Sequence, residues 1–477
     1  MASLRAPKRR LLACARNECC IVAMSTSFDL AALRRLDAAH HLHPFTDHAA
    51  MHKAGTHVIR SAKGCTLVDE TGRELLDGLA GLWCTNIGYG REEILNAVAD
   101  QMRQVAFYPS FFNTTTEPTI RLAARLAELV PRELGHVIFA NSGSEANETA
   151  LKLVRAYWKL RGKPEKKKVL SRNYAYHGVG LATTSLTGLP SCLEPFDLPL
   201  PGFLHVPGPL AYGTGKSPAD YGKWCIEETE RAIAREGAHT IGAMFVEPVQ
   251  GAGGVIVPPA GYLTQLRELC RRNEILFVAD EVITGFGRLG AWFASELWSL
   301  APDLMTVAKG ITSGYVPLGA TFARDEISET LSKGGYLAHG FTYTGHPVAC
   351  AAALANLEVL TREKLVERVR DDVGPRFQAA LGKLASHPAV AEVRGFGLIG
   401  AFEMKKPATG PLASAGPNAL GPAIHLLGRE EGVIVRGIRD LGAMSPPFVV
   451  THSELDRMFA LVTRALDRMW AGEVAKS

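Results

Sequence analysis

Two apolar runs in this chain end in groups of opposite charge. Ile275-Leu-Phe-Val-Ala-Asp280 finishes in a carboxylate, and Leu304-Met-Thr-Val-Ala-Lys309 finishes in an amine. Short continuous apolar runs of this kind read as strands buried on both faces of a parallel sheet. Open α/β sheets bind ligands beyond the carboxyl ends of their strands. An amine placed there can form a Schiff base with an aldehyde, and a carboxylate can hold a heteroaromatic nitrogen in its protonated form. Taken singly, a strand-end lysine closes a strand in water, and a strand-end aspartate caps the helix that follows. The rest of the sequence decides between these readings.

Asn141-Ser-Gly-Ser-Glu-Ala146 follows the short apolar run Val137–Ala140 and opens a helical pattern. A helix N-terminus offers unpaired N–H groups and the positive end of the helix dipole, and Gly143 lets backbone approach an anion closely. Ser142, Gly143 and Ser144 therefore suit a phosphate, although the same residues also make a good helix cap. Tyr176-His177-Gly178 lies in a loop after Lys168–Leu170, where an aromatic ring could stack on a planar ligand. Val282, two residues beyond Asp280, would share its side of the strand and pack on a ring face. A Schiff-base lysine, a carboxylate for a ring nitrogen and a phosphate loop together describe a site for pyridoxal 5'-phosphate.

The elements that must position these groups are legible in outline. Apolar runs at Val137–Ala140, Ala243–Val246, Ile275–Ala279 and Met305–Ala308 alternate with helical patterns near 144–160, 223–234 and 262–273. This alternation predicts an α/β domain with a mostly parallel sheet and helices on both faces. Before it come a short helix from about Leu33, a strand pair Val58–Ala62 and Cys65–Asp69 joined through Lys63-Gly64, and helices over Glu92–Val105 and about Ile120–Leu129. After Pro347 an Ala-rich helix over about 348–361 leads to an α+β region. Gly395-Phe-Gly-Leu-Ile-Gly400 matches the dinucleotide pattern, but Ala401-Phe-Glu-Met reads as strand where that pattern needs a helix. Nicotinamide or flavin binding is set aside.

The chain has 477 residues, 47% hydrophobic and 21% charged, an ordinary globular balance that can bury a large core. Residues 1–23 hold five basic side chains and one acid, leaving 47 basic and 47 acidic residues in a neutral remainder. That balance offers no nucleic-acid surface. There is no apolar run of ~18 residues to span a membrane. Nine cysteines are scattered, with no spacing that reads as a zinc site, as fits reduced thiols in a cytoplasmic enzyme with no metal centre. The basic stretch 1–23 is expected to be a disordered extension, or to precede a translation start at Met24.

The motifs in this order resemble those of the class III aminotransferases, within the pyridoxal-phosphate fold type I superfamily. They are Leu82-Trp-Cys-Thr-Asn-Ile-Gly-Tyr89, Asn141–Ala146, Tyr176–Gly178, Val246-Glu-Pro-Val-Gln250-Gly-Ala-Gly-Gly254, Asp280-Glu-Val-Ile-Thr-Gly-Phe-Gly287, Ala308-Lys-Gly310 and His339-Gly-Phe-Thr-Tyr-Thr-Gly-His-Pro347. The resemblance covers about residues 33–470 and is closest to ω-transaminases, which move amino groups from diamines, β-alanine-like donors or simple amines to pyruvate. It implies a large cofactor-binding domain over 81–345, with a seven-stranded type of sheet, and a smaller α+β domain from 24–80 and 346–477.

The resemblance also implies roles. Lys309 and Asp280 are catalytic. Ser142, Gly143 and Ser144 bind the phosphate, joined by Thr342 of a second copy of the chain. Tyr176 and Val282 lie on opposite ring faces, with His177 and Gln250 close to the cofactor and Glu247 behind them. Phe45, Trp83 and Tyr176 line the substrate pocket, with Phe111, Phe112 and Phe341 supplied by the second copy. Arg436 matches a mobile arginine that clamps a keto-acid carboxylate, with Arg439 a near neighbour. The expected assembly is a homodimer or a dimer of dimers with shared active sites. The expected reaction passes an amino group from an amine donor to a keto-acid acceptor by a ping-pong route. An aminomutase or decarboxylase on the same fold is the alternative, and a scaffold that binds no cofactor is a more distant one.

Overall fold

The computed structural model describes residues 28–475, and the expectation for residues 1–23 lies outside them. The chain divides after Val58 into two units. In the first, Asp29 and Asp47 cap the helices Leu30–His40 and His48–Ala54, each carboxylate accepting a backbone N–H three residues on.

The second unit is built on three sheets. Strands are numbered β1 (Ile59–Lys63), β2 (Thr66–Asp69), β3 (Glu74–Asp77), β4 (His136–Ala140), β5 (Lys168–Arg172), β6 (Phe203–Val206), β7 (Ile241–Val246), β8 (Leu276–Asp280), β9 (Leu304–Val307), β10 (Gly319–Ala323), β11 (Val390–Phe396), β12 (Ile399–Met404), β13 (Val433–Ile434), β14 (Arg436–Ile438) and β15 (Leu441–Met444). The central sheet has seven strands in the order β4-β10-β9-β8-β7-β5-β6. Only β10 runs against its neighbours; the other pairings are parallel. Every residue of β7, β8, β9 and β10 is buried, as expected of strands covered on both faces. Each large apolar side chain buried there contributes about 1.5–3 kcal/mol.

Helices cover this sheet. Gly143–Leu160 turns Ala146, Ala150, Leu153, Val154 and Tyr157 inward at helical spacing. Pro218–Glu236, Tyr262–Arg272 and Pro347–Arg362 occupy the helical stretches that the sequence predicts near 223–234, 262–273 and 348–361. A four-stranded sheet β1-β2-β3-β13 joins residues 59–77 to the carboxyl-terminal region through a parallel β3–β13 pair. A second four-stranded sheet, β11-β12-β15-β14, is antiparallel throughout. The GxGxxG decoy is its β11–β12 hairpin: Phe396 pairs with Ile399, and Gly397 turns the chain in the left-handed region.

Two strands of the central sheet have no clear signature in the sequence. β6 is a four-residue edge strand, and β10 reads Gly-Ala-Thr-Phe-Ala. Small residues suit β10 because it lies beneath the helix cap: a Cβ on Gly319 would come 2.4 Å from the Ser142 carbonyl oxygen.

Candidate active site

The chemistry-bearing residues collect at the carboxyl ends of the central strands. Asp280 ends β8, Lys309 lies two residues past β9, Asn141–Gly143 follow β4, Glu247 follows β7, and Tyr176 and His177 follow β5. Lys309, Asp280, Ser142, Gly143, Ser144, Tyr176, His177 and Val282 line one cavity of about 310 Å³. Asn147, Glu247, Ile283 and Cys84 complete much of its wall.

Asp280 is fixed on both oxygens. Its Oδ2 accepts from Asn147 Nδ2 at 2.8 Å and stands 2.7 Å from His177 Nδ1. Its Oδ1 accepts from the Val282 N–H at 3.1 Å. A carboxylate accepts only, so the imidazole donates from Nδ1. Asn147 is oriented in turn: its Oδ1 accepts from Thr306 Oγ1 at 2.9 Å, and its amide also donates to the His177 carbonyl at 2.9 Å. Three donors aimed at one buried carboxylate hold it in a single orientation. The other ring nitrogen of His177, Nε2, is buried and has no partner among the described residues.

Lys309 opens a single 3₁₀ turn and holds φ at 46°, a conformation that a lysine adopts only where its surroundings impose it. Its amine makes no hydrogen bond or ion pair among the described residues. Burial pushes the amine's pKa below the usual lysine range, with the Asp280 charge opposing the shift. An amine without a partner inside a cavity, its pKa lowered by burial, is a nucleophile in waiting.

One end of the cavity is built from a helix start. Ser142 caps Gly143–Leu160, its Oγ accepting from the Glu145 N–H at 3.2 Å, while Glu145 Oε2 accepts from the Asn141 N–H and side-chain amide at 2.7 and 2.8 Å. Gly143 is packed tightly. An added Cβ would stand 2.9 and 3.0 Å from the two Val282 methyl groups. Ser144 Oγ accepts from the Val179 N–H, and Gly178, at φ +140°, leaves room that a Cβ would take from Ser144.

Glu247 organises one wall of the cavity. Its Oε1 accepts from the Tyr176 N–H at 2.9 Å and its Oε2 from the Gly251 N–H at 3.0 Å. The buried Arg172 guanidinium donates to the Glu247 carbonyl. Burial raises the Glu247 carboxyl's pKa; the neighbouring His177 opposes that shift and Asp280 adds to it. Tyr176, half-buried on the cavity wall, has its phenol pKa raised by burial.

Several expected residues stand apart from this cavity within the chain. Gln250 is fully buried, its amide donating to the Asn173 carbonyl at 2.9 Å, and it does not line the cavity. Trp83 packs with Val249, Val255 and Ile283 in a core cluster, while its neighbour Cys84 reaches the cavity wall. Phe111 lines a second cavity with His339, Gly340 and Thr344. Phe112 is 86% exposed, Phe341 is half-buried against His339, and Thr342 is exposed. Phe45 belongs to the amino-terminal unit, with φ at 51°. Arg436 is exposed at the start of β14, with no partner among the described residues. Arg439 stacks on Tyr174 at 4.9 Å.

Asn147 and Cys84 join the cavity wall beyond the residues expected from the sequence. Asn147 lies four residues past Gly143, one turn down the same helix face, and that spacing could have identified it. Cys84 carries no signal beyond its neighbour Trp83.

These groups fit pyridoxal 5'-phosphate. A helix start faces the phosphate end, a fixed carboxylate suits a ring nitrogen, and a free amine suits an aldehyde. Tyr176 and Val282 wall the space between, and the tight Gly143–Val282 contact leaves a slot with no room for a side chain.

Residues 48–466 match the family Aminotransferase class-III. Over 446 residues the chain is 43% identical to the putrescine–pyruvate aminotransferase of Pseudomonas aeruginosa, covering 92% of this chain and 97% of that one. It is 40% identical to gamma aminobutyrate transaminase 1 of Solanum lycopersicum, covering 86% and 81%. The (S)-enantioselective omega-transaminase of Thermomicrobium roseum superposes with a TM-score of 0.88 at 44% identity, covering 93% of this chain and 99% of that one. An omega transaminase of Pseudomonas jessenii in complex with PMP also gives 0.88, at 38% identity over 92% and 98%. The chain belongs to the class III aminotransferases and is a pyridoxal-phosphate-dependent enzyme.

Proposed function

We propose that this ω-transaminase takes its amino group from a diamine or another amine without a carboxylate, and delivers it to pyruvate. The observation that carries the proposal is the contrast between Arg436 and the cavity. The cavity wall holds no arginine, and Lys309 is its one cation among the described residues. Arg436 is exposed and unpartnered, free to meet a carboxylate or to leave, whereas Arg439 is held on Tyr174. A carboxylate-free donor needs no clamp, and pyruvate does. The likeness to a putrescine–pyruvate aminotransferase supports the same pairing.

When bound, pyridoxal phosphate supplies an electron sink for the pair left by a breaking C–H bond. The rest is done by this chain's residues. Lys309 Nζ would be the attachment point for the cofactor and the group that holds and moves the proton taken from the substrate carbon. Asp280, held by His177 and Asn147, would keep the ring nitrogen of the bound cofactor protonated. Ser142, Gly143 and Ser144 hold the phosphate. Tyr176 and Val282 hold the ring faces, and Glu247 fixes the Tyr176 backbone. Gln250 acts from behind the loop by holding Asn173. Trp83, next to Cys84 of the cavity wall, would shape the donor pocket.

The working unit in this reading is a homodimer in which Thr342, Phe111, Phe112 and Phe341 serve the neighbouring site. The exposure of Phe112 and Thr342 supports that role. No helix among the described residues is long and apolar enough to cross a membrane, and a cytoplasmic location is proposed.

A donor panel against pyruvate, read as alanine formed, tests the function. Putrescine-type diamines and simple amines should outpace 4-aminobutyrate and β-alanine. Faster use of the ω-amino acids would reverse the donor assignment. Turnover of an amine with no keto acid added would replace transamination with the aminomutase or decarboxylase alternative.

A further inference from the structure

We propose that Asp37, His41 and His43 form a binding site for one divalent transition cation of the zinc and cobalt class. The site lies wholly in the amino-terminal unit and shares no residue with the cofactor cavity. Asp37 is one turn from the end of helix Leu30–His40. His41 caps that helix, its N–H donating to the Asp37 carbonyl at 2.9 Å, so its ring returns over the carboxylate. His43 comes back to the same carboxylate two residues later.

The distances match a shared ion. His41 Nδ1 is 3.1 Å from Asp37 Oδ1, and His43 Nε2 is 2.8 Å from Oδ1 and 3.0 Å from Oδ2. One ligand atom from each residue lies within 4.8 Å of the others. Ligands bound to one ion at ~2.0–2.2 Å stand roughly 3–3.5 Å apart, and the imidazole-to-carboxylate spacings here are of that order. Two imidazoles and a carboxylate suit zinc, cobalt and nickel by ligand type. The Thr56 hydroxyl donates to Asp37 Oδ2 and fixes the carboxylate, as outer partners do at metal sites. His41 is 60% exposed, which leaves open positions for water.

A second observation points the same way. Six of the chain's fifteen histidines fall between residues 40 and 57. Histidine-rich short tracts are metal-binding by composition. His48 and His52, one turn apart with ring centroids at 6.3 Å, offer two ligands without a carboxylate. The cysteine spacings gave no zinc site, and this candidate rests on other residues.

The test is a Co²⁺ titration of the cofactor-loaded enzyme, followed calorimetrically and by the visible ligand-field bands of the bound ion. Wild type should take up one Co²⁺ per chain with a nitrogen and oxygen spectrum. His41→Asn and His43→Asn should each weaken binding by at least the ~10–100-fold that loss of an outer partner costs. His40→Asn, and the pair His48→Asn with His52→Asn, should bind as wild type. Protection of residues 41–57 from limited proteolysis should appear with Co²⁺ in wild type and vanish in the His41 and His43 variants. Unchanged affinity in those two variants overturns the site, as does a thiolate-to-cobalt band or loss of binding in the His48/His52 pair instead.

Discussion

Asp280 and Lys309 act on each other through charge. Both ended apolar runs in the sequence, which made them legible, because a charged group after several buried residues needs a reason to be there. Asn147 was not legible: an asparagine inside a helix looks like a solvated position until the fold sets it against Asp280 Oδ2 at 2.8 Å. The pair predicts a pH effect with a definite sign. The neutral amine is the form that captures an aldehyde. Burial lowers the Lys309 pKa, so cofactor capture by the apoenzyme should rise with pH and level off below the ~10.4 of a free lysine. Asp280 favours the charged amine, so Asp280→Asn should move that midpoint to lower pH. The same variant should slow the first half-reaction by roughly 10²- to 10⁴-fold, since an amide cannot keep a ring nitrogen protonated. Stopped-flow absorbance of apoenzyme mixed with cofactor reads the first effect, and amine-driven bleaching of the holoenzyme reads the second. A midpoint that shifts upward in Asp280→Asn would refute the electrostatic link.

The element that matters most is the start of helix Gly143–Leu160. Its cap, its glycine and its inward face were readable as a strand–turn–helix pattern. The close approach of Val282 was not, because it comes from the turn after β8, far away in sequence. Gly143→Ala tests that contact. A methyl group 2.9 Å from a Val282 methyl carbon must displace the valine or the turn, and both line the cofactor cavity. The helix itself should gain from alanine, by up to ~1 kcal/mol of propensity. The expected outcome is therefore a protein that folds as wild type but loses cofactor at least ten times faster on dilution, followed by visible absorbance. Wild-type retention would mean that the turn is slack. The central sheet follows the same lesson. Its buried aliphatic strands were predicted, while β10 was missed because its small residues answer to the backbone above it, which only the fold reveals.

At the scale of the whole molecule, the two half-reactions make opposite demands on one pocket, and Arg436 is the residue proposed to reconcile them. Its matching position in the motif was visible in the sequence. Its freedom was not, because exposure and the lack of partners are tertiary facts, as is the stacking that holds Arg439 on Tyr174. Aromatic residues such as Phe112 were likewise recognisable by type, yet what covers an 86% exposed ring depends on assembly rather than on local pattern. Arg436→Ala should separate the half-reactions. A guanidinium gives a carboxylate charge-assisted hydrogen bonds worth about 1.5–3 kcal/mol each. Losing one or two of them should weaken use of pyruvate by roughly ten- to several-hundred-fold at ~1.4 kcal/mol per decade. A diamine makes no such contact, so its half-reaction should stay within a few-fold of wild type. Arg439→Ala serves as the contrast: it removes a stacked, half-buried side chain and should lower thermal stability while affecting both half-reactions alike. Single-turnover traces with amine alone, then with pyruvate alone, resolve the two. Equal losses in both half-reactions of Arg436→Ala would assign that arginine to structure, and a selective pyruvate defect in Arg439→Ala would move the clamp to Arg439.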